Sequence, residues 1–327
     1  MENLLRRLPL LVAVLGLLLF LAVPPFLPRW TLFLLTLAWA KAMAVVGIVL
    51  LLRGGLVTFG HALFYAVGAY AAGFASKGLG VRDALALVAL GVVAGAGMAA
   101  LLGAFLARYR EVYFALLNLA FSMVLYALLL KFYWVTGGTD GLRFPSPTLA
   151  GVTPSPPFLR LAHYYFTLGL GVLGLYGAYR FITSPLGYTL RAVRDNEVRV
   201  EYMGGSVWRA VYSAYIFAGA LGALGGVLAG MAVGHLVPEL AYWTQSGEFV
   251  FVALLGGTGS MLAPVAGSIV FEFVRNYAFK FSPYTWQMTL GFVLLFIILF
   301  LPGGLWSLSE PVARRWAKWA LSWRQGP

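Results

Sequence analysis

The stretch TLFLLTLAWAKAMAVVGIVLLL, residues 31–52, is 22 residues long and carries a single charged side chain, Lys41. A helix needs about 20 consecutive apolar residues to cross the hydrocarbon core of a bilayer, so this stretch predicts a membrane span. The whole 327-residue chain is also strongly apolar, with 61% hydrophobic and 10% charged residues. Ordinary soluble domains have about 25% charged residues. The composition therefore excludes a water-soluble enzyme and predicts an all-α polytopic membrane protein.

Further apolar stretches indicate about ten transmembrane segments arranged as two helical halves, some of them short or broken. Eight stretches have the length of a span, and two more are shorter: 8–27, 31–52, 56–76, 84–106, 112–133, 164–182, 210–233 and 286–301, with 247–262 and 264–281. We expect the first span to stay uncleaved, because no small-x-small cleavage site precedes its proline pair. With the N-terminus inside, fourteen basic residues fall on the inner side and eight on the outer side. That bias predicts two cytoplasmic termini.

The basic residues give the chain a formal net charge of +12, which invites a nucleic-acid interpretation. They lie scattered at the ends of apolar stretches and form no continuous stripe, as expected for a protein whose partner is the lipid bilayer. The chain contains no cysteine and three histidines, so thiolate metal sites are excluded and a zinc site is not expected. No phosphate-cradling Walker A sequence occurs, and no nucleophile elbow or paired carboxylates are present. We therefore expect no enzyme activity, metal or cofactor in this chain.

Two polar segments between spans are long enough to have structure of their own. The outer segment, 134–163, is rich in Gly and Pro and predicts an irregular extracytoplasmic loop. The inner segment, 184–209, predicts two short helices at the inner membrane surface. The first helix can start at Ser184 and Pro185. Either Asp195 or Asn196 can end this helix and cap the second helix. The pair Gly204-Gly205 can end the second helix. Such a structured loop suits docking a partner, and the alternative is an amphipathic segment resting on lipid.

Glycine pairs interrupt two apolar stretches, one in each half of the chain. They are RGGLVTFGHA, residues 53–62, and LGGTGSMLAP, residues 255–264. Paired breaks of this kind indicate a transport pathway, because broken helices expose helix ends and free backbone groups to whatever passes. The residues predicted to line it are Thr58, Gly60, His61, Tyr65, Tyr70, Gly256, Gly257, Gly259 and Ser260. Other glycines, such as those at 91, 95, 222, 226 and 230, predict only close helix packing.

Charged residues within the predicted spans are rare. Lys41 lies in mid-span and is expected to face protein or water, to be neutral, or to reach the interface. Among acids only Glu272 is predicted within a span, near its outer end. A proton-coupled carrier more often has a mid-membrane Asp or Glu, so we expect a partner to supply the energy for transport. After the last span, residues 309–327 place tryptophans on one face and cations on the other, which predicts an interfacial anchoring helix.

An ordered set of motifs from about residue 47 to 307 resembles the LivM-type permease subunits of branched-chain amino-acid ABC importers. The set runs VTFGHALFYAVGAYAAG (57–73), YFALLNLAF (113–121), TGGTDGL (136–142), SPLGYTLRAVRDNEV to EYMGG (184–205), AGALGALGGVLAG (218–230), LLGGTGSMLAPVAGS (254–268) and FLPGGLW (300–306). Each motif alone is mostly glycine and apolar residues. Their order makes the resemblance specific.

The resemblance implies a single permease domain, residues 1–327, in the bacterial inner membrane. It implies a second, homologous permease subunit, two ATPase subunits that bind ATP and Mg²⁺, and an extracytoplasmic amino-acid-binding protein. The 184–209 loop would be the cytoplasmic coupling segment, in which residues 201–204 match a shortened EAA-type motif. Its candidate coupling residues are Arg191, Arg194, Asp195, Asn196, Glu197, Glu201 and Gly204.

The chain also departs from the family pattern, and these departures bear on the substrate. Val49, Leu52, Arg53 and Tyr202 replace residues common in the family, and Lys41 is unexpected. Branched-chain aliphatic amino acids are the favoured substrates, and related permeases move amides or urea. Two other classes stay open: an ion-coupled secondary carrier or channel that works alone, and a structural membrane subunit.

Overall fold

The computed structural model describes residues 16, 18–149, 151, 158–301 and 303–309, which form an all-α bundle with one short strand pair. The helices in chain order are α1 (Arg29–Arg53), α2 (Ala62–Gly78), α3 (Ala84–Leu106), α4 (Glu111–Lys131), α5 (Tyr133–Thr136), α6 (Leu159–Ile182), α7 (Pro185–Asp195), α8 (Glu197–Tyr202), α9 (Val207–Val233), α10 (Trp243–Gly256), α11 (Ala263–Phe281) and α12 (Trp286–Phe300). Single turns of 3-10 helix cover Pro24–Phe26, Gly138–Asp140, Pro238–Ala241 and Leu305–Ser309.

Four helices in the described part of the chain are long and apolar enough to cross a membrane: α1, α3, α4 and α9. These agree with four of the predicted spans, and the chain is therefore consistent with a polytopic membrane protein. Residues 8–15 and 17 of the first predicted span, 8–27, and residues 310–327 of the predicted C-terminal helix, 309–327, lie outside the described residues. The count of ten crossings and the cytoplasmic placement of both termini stay predictions.

Helix α1 forms the centre of the bundle. In its most apolar 18-residue window 94% of the residues are buried, against 28% in α3 and in α4. Around it lie α6, α9, α10 and α11, while α2 and α3 pack against the other side of α9. Because lipid tails are as apolar as the helix surfaces, close backbone packing rather than hydrophobic exclusion from water holds such a bundle together.

The glycines of α9 let its backbone approach its neighbours. A Cβ on Gly226 would overlap the carbonyl oxygen of Tyr65 in α2, and a Cβ on Gly95 in α3 would overlap Ala223. On α2, Gly68 meets the backbone of Ala223 in the same way. The prediction that these small residues serve helix packing is confirmed.

Three boundaries differ from the sequence prediction. The span predicted at 56–76 becomes helical only at Ala62, because the glycines at 54, 55 and 60 leave residues 54–61 in an irregular conformation. Helix α6 begins at Leu159 rather than at 164. Helix α10 begins at Trp243 rather than at 247, after a non-helical connection, 234–242, that contains Gly234 (φ +74°), strand β2 and a 3-10 turn that starts at Pro238.

The predicted irregular outer loop, 134–163, is more ordered than expected in its described residues. It contains α5, a 3-10 turn and strand β1 (Leu142–Arg143), which pairs antiparallel with β2 (His235–Leu236). Leu142 pairs with Leu236, and both side chains are buried against the helices. We call this end of the bundle the strand end, and the end that carries α7 and α8 the α7–α8 end.

Candidate translocation and coupling site

The first glycine break, residues 54–61, connects α1 to α2 with buried and exposed residues in alternation up to Gly60. The side chains of Thr58 and His61 are fully buried. The backbone N–H of Gly60 donates to the Oγ1 of Thr58 at 3.3 Å. A Cβ on Gly60 would overlap the carbonyl oxygen of Asn118 in α4, so the break lies directly against that helix.

His61 lies deep in the bundle, immediately before α2 begins. A Cβ on Gly47 of α1 would lie 2.8 Å from its Nε2, and one on Gly222 of α9 would lie 3.0 Å from it. Gly47 is six residues from the end of α1, so the ring lies about 9 Å inside that end. The imidazole fills the space that these two glycines leave, with an edge-to-face contact to Phe64.

The N-terminus of α2 is held by a different helix. The Oγ of Ser246 in α10 accepts a hydrogen bond from the N–H of Ala62 at 2.9 Å. The irregular segment before α10 is held in turn, because the Oγ of Ser122 in α4 donates to the carbonyl of Ala241 at 2.7 Å. Both serines are fully buried, so these bonds satisfy backbone groups that lipid could not.

The two predicted tyrosines of α2 point into the packed bundle. Tyr65 is buried and packs against the ring of Phe249 in α10, with the ring centres 5.1 Å apart. Tyr70 is also buried, and its ring lies 5.8 Å from that of Phe74. In this conformation both rings contribute to the packing of the helices.

The second predicted break, residues 257–262, joins α10 to α11 and has different neighbours. Gly257 has φ +92°, and its Cβ position would overlap the carbonyl oxygen of Gly303. Gly256 is buried against the backbone of Ala263, whereas Gly259 is exposed. The Oγ of Ser260 accepts from the N–H of Leu262 at 3.2 Å. This break therefore packs against the chain after α12.

The contact that holds the end of the first break comes from α10. The break at 54–61 is linked through Ala62 and Ser246 to the α10 region that follows 234–242. The sequence analysis did not single out 234–242. In the sequence, the feature that could have indicated a break at 234–242 is the combination of Gly234 and Pro238 inside an otherwise apolar region.

The predicted two-helix loop is present as α7 and α8, with the predicted caps. The Oγ of Ser184 accepts from the N–H of Gly187 at 3.3 Å, and the Oδ1 of Asn196 accepts from the N–H of Arg199 at 2.9 Å. Asp195 is the last residue of α7, so Asn196 is the residue that caps α8. Gly204 follows α8 with φ +80°, a conformation that favours glycine.

The loop packs onto the first glycine break. A Cβ on Gly54 would collide with Leu190 at 2.6 Å, and one on Gly55 would touch the side chain of Arg194 at 3.4 Å. On its other side α8 forms an ion pair, because the side chain of Glu197 accepts from Arg110 just before α4. Most candidate coupling residues are exposed, namely Arg191, Arg194, Asp195, Asn196, Glu201 and Gly204, while Glu197 is partly buried.

Lys41 belongs to a buried charge cluster, and here the sequence analysis was wrong about the acids. Its Nζ lies 3.0 Å from Oε2 of Glu248 in α10 and 2.6 Å from Oε1 of Glu272 in α11. Glu272 lies halfway along α11 and is 4% exposed, so it is not near a helix end. Glu248 lies at the edge of the predicted short segment 247–262 and was not counted among the acids within spans.

The described residues contain no group of three or more His, Cys, Asp or Glu that could hold a metal ion. The charged cluster around Lys41 is a salt-bridge network whose acids are already paired with cations. The arrangement as a whole offers deeply placed helix starts, glycine breaks and a docked two-helix loop. Broken helices that start inside the bundle are features found at the binding sites of transporters.

Comparison with known proteins gives one family match. Residues 30–299 match the family described as branched-chain amino acid transport system / permease component. The high-affinity branched-chain amino acid transport system permease proteins LivM of Salmonella typhimurium and Escherichia coli are each 29% identical over 282 residues. Each alignment covers 79% of this chain and 65% of the relative. A probable LivM of Methanocaldococcus jannaschii is 25% identical over 213 residues, or 61% of each chain. No solved structure matches the chain.

Proposed function

Because the chain belongs to the family of branched-chain amino acid transport permease components, we propose that it is the permease subunit of an ATP-driven ABC importer. In this proposal it passes branched-chain or related small amino acids across the bacterial inner membrane. The chain itself hydrolyses nothing and binds no cofactor, and ATP and Mg²⁺ are bound by partner ATPase subunits. An extracytoplasmic binding protein delivers the substrate, and a second, homologous permease subunit completes the pathway.

The observation that carries this proposal is the docking of the α7–α8 loop on the first glycine break. The inner face of α7 touches Gly54 and Gly55, where α1 ends. The outer face of the loop presents apolar side chains to its surroundings, with Tyr202 89% and Met203 81% exposed. Exposed apolar groups on a structured loop mark an interaction site. A partner that moves α7 and α8 as a unit would displace the break directly.

The packing of the chain supports a pathway shared with a second subunit. Thr58, His61, Tyr65 and Tyr70 are buried inside the bundle, whereas Val57 and Phe59 of the same break are exposed. Helices α3 and α4 present wide apolar faces to the outside. We propose that a homologous permease subunit covers the exposed side of the break, and that substrate passes between the two chains.

A stand-alone ion-coupled carrier remains the alternative, and the buried Glu248 and Glu272 favour it. Intramembrane carboxylates are typical of proton relays. In this chain, however, Lys41 contacts both acids, and Arg275 contacts Glu248 as well. An adjacent cation favours the ionised form of a carboxylate and so disfavours proton uptake, which favours the ATP-driven importer.

Reconstitution distinguishes the two. The chain is purified alone and also with the proteins that co-purify with it, and each preparation is placed in liposomes with radiolabelled leucine. We expect uphill uptake only in the complex with ATP available to the ATPase subunits. Accumulation of leucine by the lone chain under an imposed proton or sodium gradient would overturn the proposal.

A charge test addresses the coupling loop. In the complex, replacing Arg191 and Arg194 with Glu is expected to lower ATP-dependent uptake at least tenfold while the permease remains folded. The matched variant with Lys at both positions keeps the positive charge and is expected to retain most uptake. Wild-type uptake in the Glu variant would count against a coupling role for this loop.

A further inference from the structure

Four charged side chains form one alternating chain inside the bundle. Arg275 of α11 contacts Oε2 of Glu248 at 3.4 Å, and the same oxygen lies 3.0 Å from Nζ of Lys41. Nζ also contacts Glu272 at 2.6 Å. The order is therefore Arg275, Glu248, Lys41, Glu272, with a net charge of zero. Lys41 lies on α1 at the centre of the protein, and both acids lie on the hairpin formed by α10 and α11, here called the α10–α11 hairpin.

The burial of this ion chain increases from one end to the other. The side chain of Arg275 is 39% exposed, while those of Lys41 and Glu272 are about 5% exposed. The Nζ of Lys41 also lies 4.4 Å from the centre of the Phe271 ring, which gives a cation–π contact. Removing one partner of such a pair leaves an uncompensated buried charge, which is strongly destabilising. Replacing all of the charges with neutral groups leaves none, and such replacements are often neutral or stabilising. Stability alone therefore does not require the ion chain.

Helix α10 of the α10–α11 hairpin is too short for the thickness of the bilayer to set its depth. Helix α10 has 14 residues and rises about 21 Å, whereas the hydrocarbon core is about 30 Å thick. Its length therefore cannot match the bilayer. Hydrophobic exclusion does not fix its position either, because lipid tails are as apolar as the helix surface. Two directional ion pairs to one point on α1 do define a position, both along the helix axis and around it.

A small displacement of α10 would reach the first glycine break. Ser246, which accepts the hydrogen bond from Ala62 at 2.9 Å, precedes Glu248 by two residues on the same helix. Hydrogen bonds weaken steeply beyond about 3.2 Å, so a shift of one residue along the axis, about 1.5 Å, would break this contact. The position of the hairpin therefore determines whether the N–H of Ala62, at the start of α2, has a hydrogen-bond acceptor.

We propose that Lys41 is a positioning residue that fixes the depth and register of the α10–α11 hairpin on α1. It does so by holding Glu248 and Glu272 at one level, which keeps Ser246 beneath the start of α2. We use the name register pin for the ion chain in this positioning role. Its effect on uptake rests on the proposed function, whereas its effect on the position of the hairpin does not.

The absence of cysteine from the sequence allows a direct test. Thr258 is exposed in the turn between α10 and α11, and Thr258→Cys provides a single thiol there. The rate of its reaction with a membrane-impermeant maleimide, added to either side of proteoliposomes, reports the position of the turn. ATP-dependent leucine uptake by the complex is measured in parallel.

Three variants are compared in this background. Lys41→Met breaks the ion chain and leaves unpaired acids. A fourfold neutral variant combines Lys41→Met, Glu248→Gln, Glu272→Gln and Arg275→Gln. A swapped variant inverts all four charges, with Arg275→Glu, Glu248→Lys, Lys41→Glu and Glu272→Lys, which keeps the alternation. Lys77→Met is the control, because Lys77 is exposed at the end of α2.

We expect the neutral variant to insert and fold, with a labelling rate changed at least fivefold and uptake lowered at least tenfold. The swapped variant should recover at least half of the wild-type labelling rate, and Lys77→Met should behave as wild type. The proposal would be overturned if the neutral variant were labelled at the wild-type rate. The charges would then neutralise one another without setting the position of the hairpin. Loss of folded protein in both the neutral and the swapped variants would also overturn it, since the ion chain would then serve folding. If labelling changes as expected while even the wild-type complex imports nothing, the register pin stands and the proposed function fails.

Discussion

The Oγ of Ser246 lies 2.9 Å from the backbone nitrogen of Ala62 and accepts a hydrogen bond from it. The first N–H groups of a helix have no partner within the helix, and within a membrane they find no water. Ser246 supplies the missing acceptor from α10, a helix 184 residues further along the chain. This bond explains how α2 can begin inside the bundle rather than at its surface.

Replacing Ser246 with Ala should destabilise the permease. The N–H of Ala62 would lose its acceptor in a buried position, which costs about 1–3 kcal/mol. We expect a lower thermal midpoint in detergent micelles and reduced uptake by the complex. Ser213→Ala is the control, because the Oγ of Ser213 bonds only to carbonyls of its own helix. Equal midpoints for the two variants would contradict a capping role for Ser246.

Gly60→Ala should prevent normal packing of the first break. The added Cβ would overlap the carbonyl oxygen of Asn118, and a backbone atom in a packed helix cannot move aside cheaply. We expect little folded protein on size-exclusion chromatography. Gly97→Ala provides the contrast, because nothing lies within 4 Å of its Cβ position. A folded, active Gly60→Ala variant would show that α4 does not lie against the break as described.

Gly204 allows a test of backbone conformation without a change in packing. Its φ is +80°, and nothing lies within 4 Å of its Cβ position. Ala at this position should cost about 1 kcal/mol, while Asn, which tolerates the left-handed region, should cost less. Because the strain falls on the end of α8, we expect the Ala variant to lower uptake more than it lowers the thermal midpoint of the permease. Equal effects of Ala and Asn on uptake would contradict this reasoning.

The ion pair between Arg110 and Glu197 links α8 to the start of α4. It is partly exposed, so its loss should change stability by less than about 1 kcal/mol. We expect Glu197→Arg to reduce ATP-dependent uptake severalfold and the double variant with Arg110→Glu to recover part of it. Uptake that is unaffected by the single change would show that this link does not transmit motion of the loop.

Thr58 and His61 test the predicted pathway. Thr58→Val removes the acceptor for the N–H of Gly60 with little change in shape. His61→Ala empties the space between Gly47 and Gly222. We expect both variants to impair uptake while the complex still assembles, as judged by co-purification. His235→Ala, at an exposed position of the strand end, is the control for loss of an imidazole. Wild-type uptake in both test variants would place the pathway elsewhere.

Local features of the structure were accessible from the sequence because their causes are short-range. The apolar length of 31–52 predicts α1, and Ser184, Asn196 and Gly204 predict the ends of α7 and α8 through contacts within three residues or through a single φ angle. The order of the glycine-rich motifs was enough to indicate the permease family. These properties depend on composition, helical periodicity and capping, all of which can be recognised from residues close together in the sequence.

The partnerships between distant residues were decided only by the tertiary structure. The sequence alone shows no partner for Lys41. In the folded protein, α10 and α11 place Glu248 and Glu272 against it, 207 and 231 positions further along the chain. The same packing placed Ser246 against Ala62 and set Gly256 and Gly257 against the chain after α12. Helices in lipid associate through shape and polar contacts rather than through hydrophobic exclusion, and an apolar sequence pattern does not encode which neighbour each face will meet.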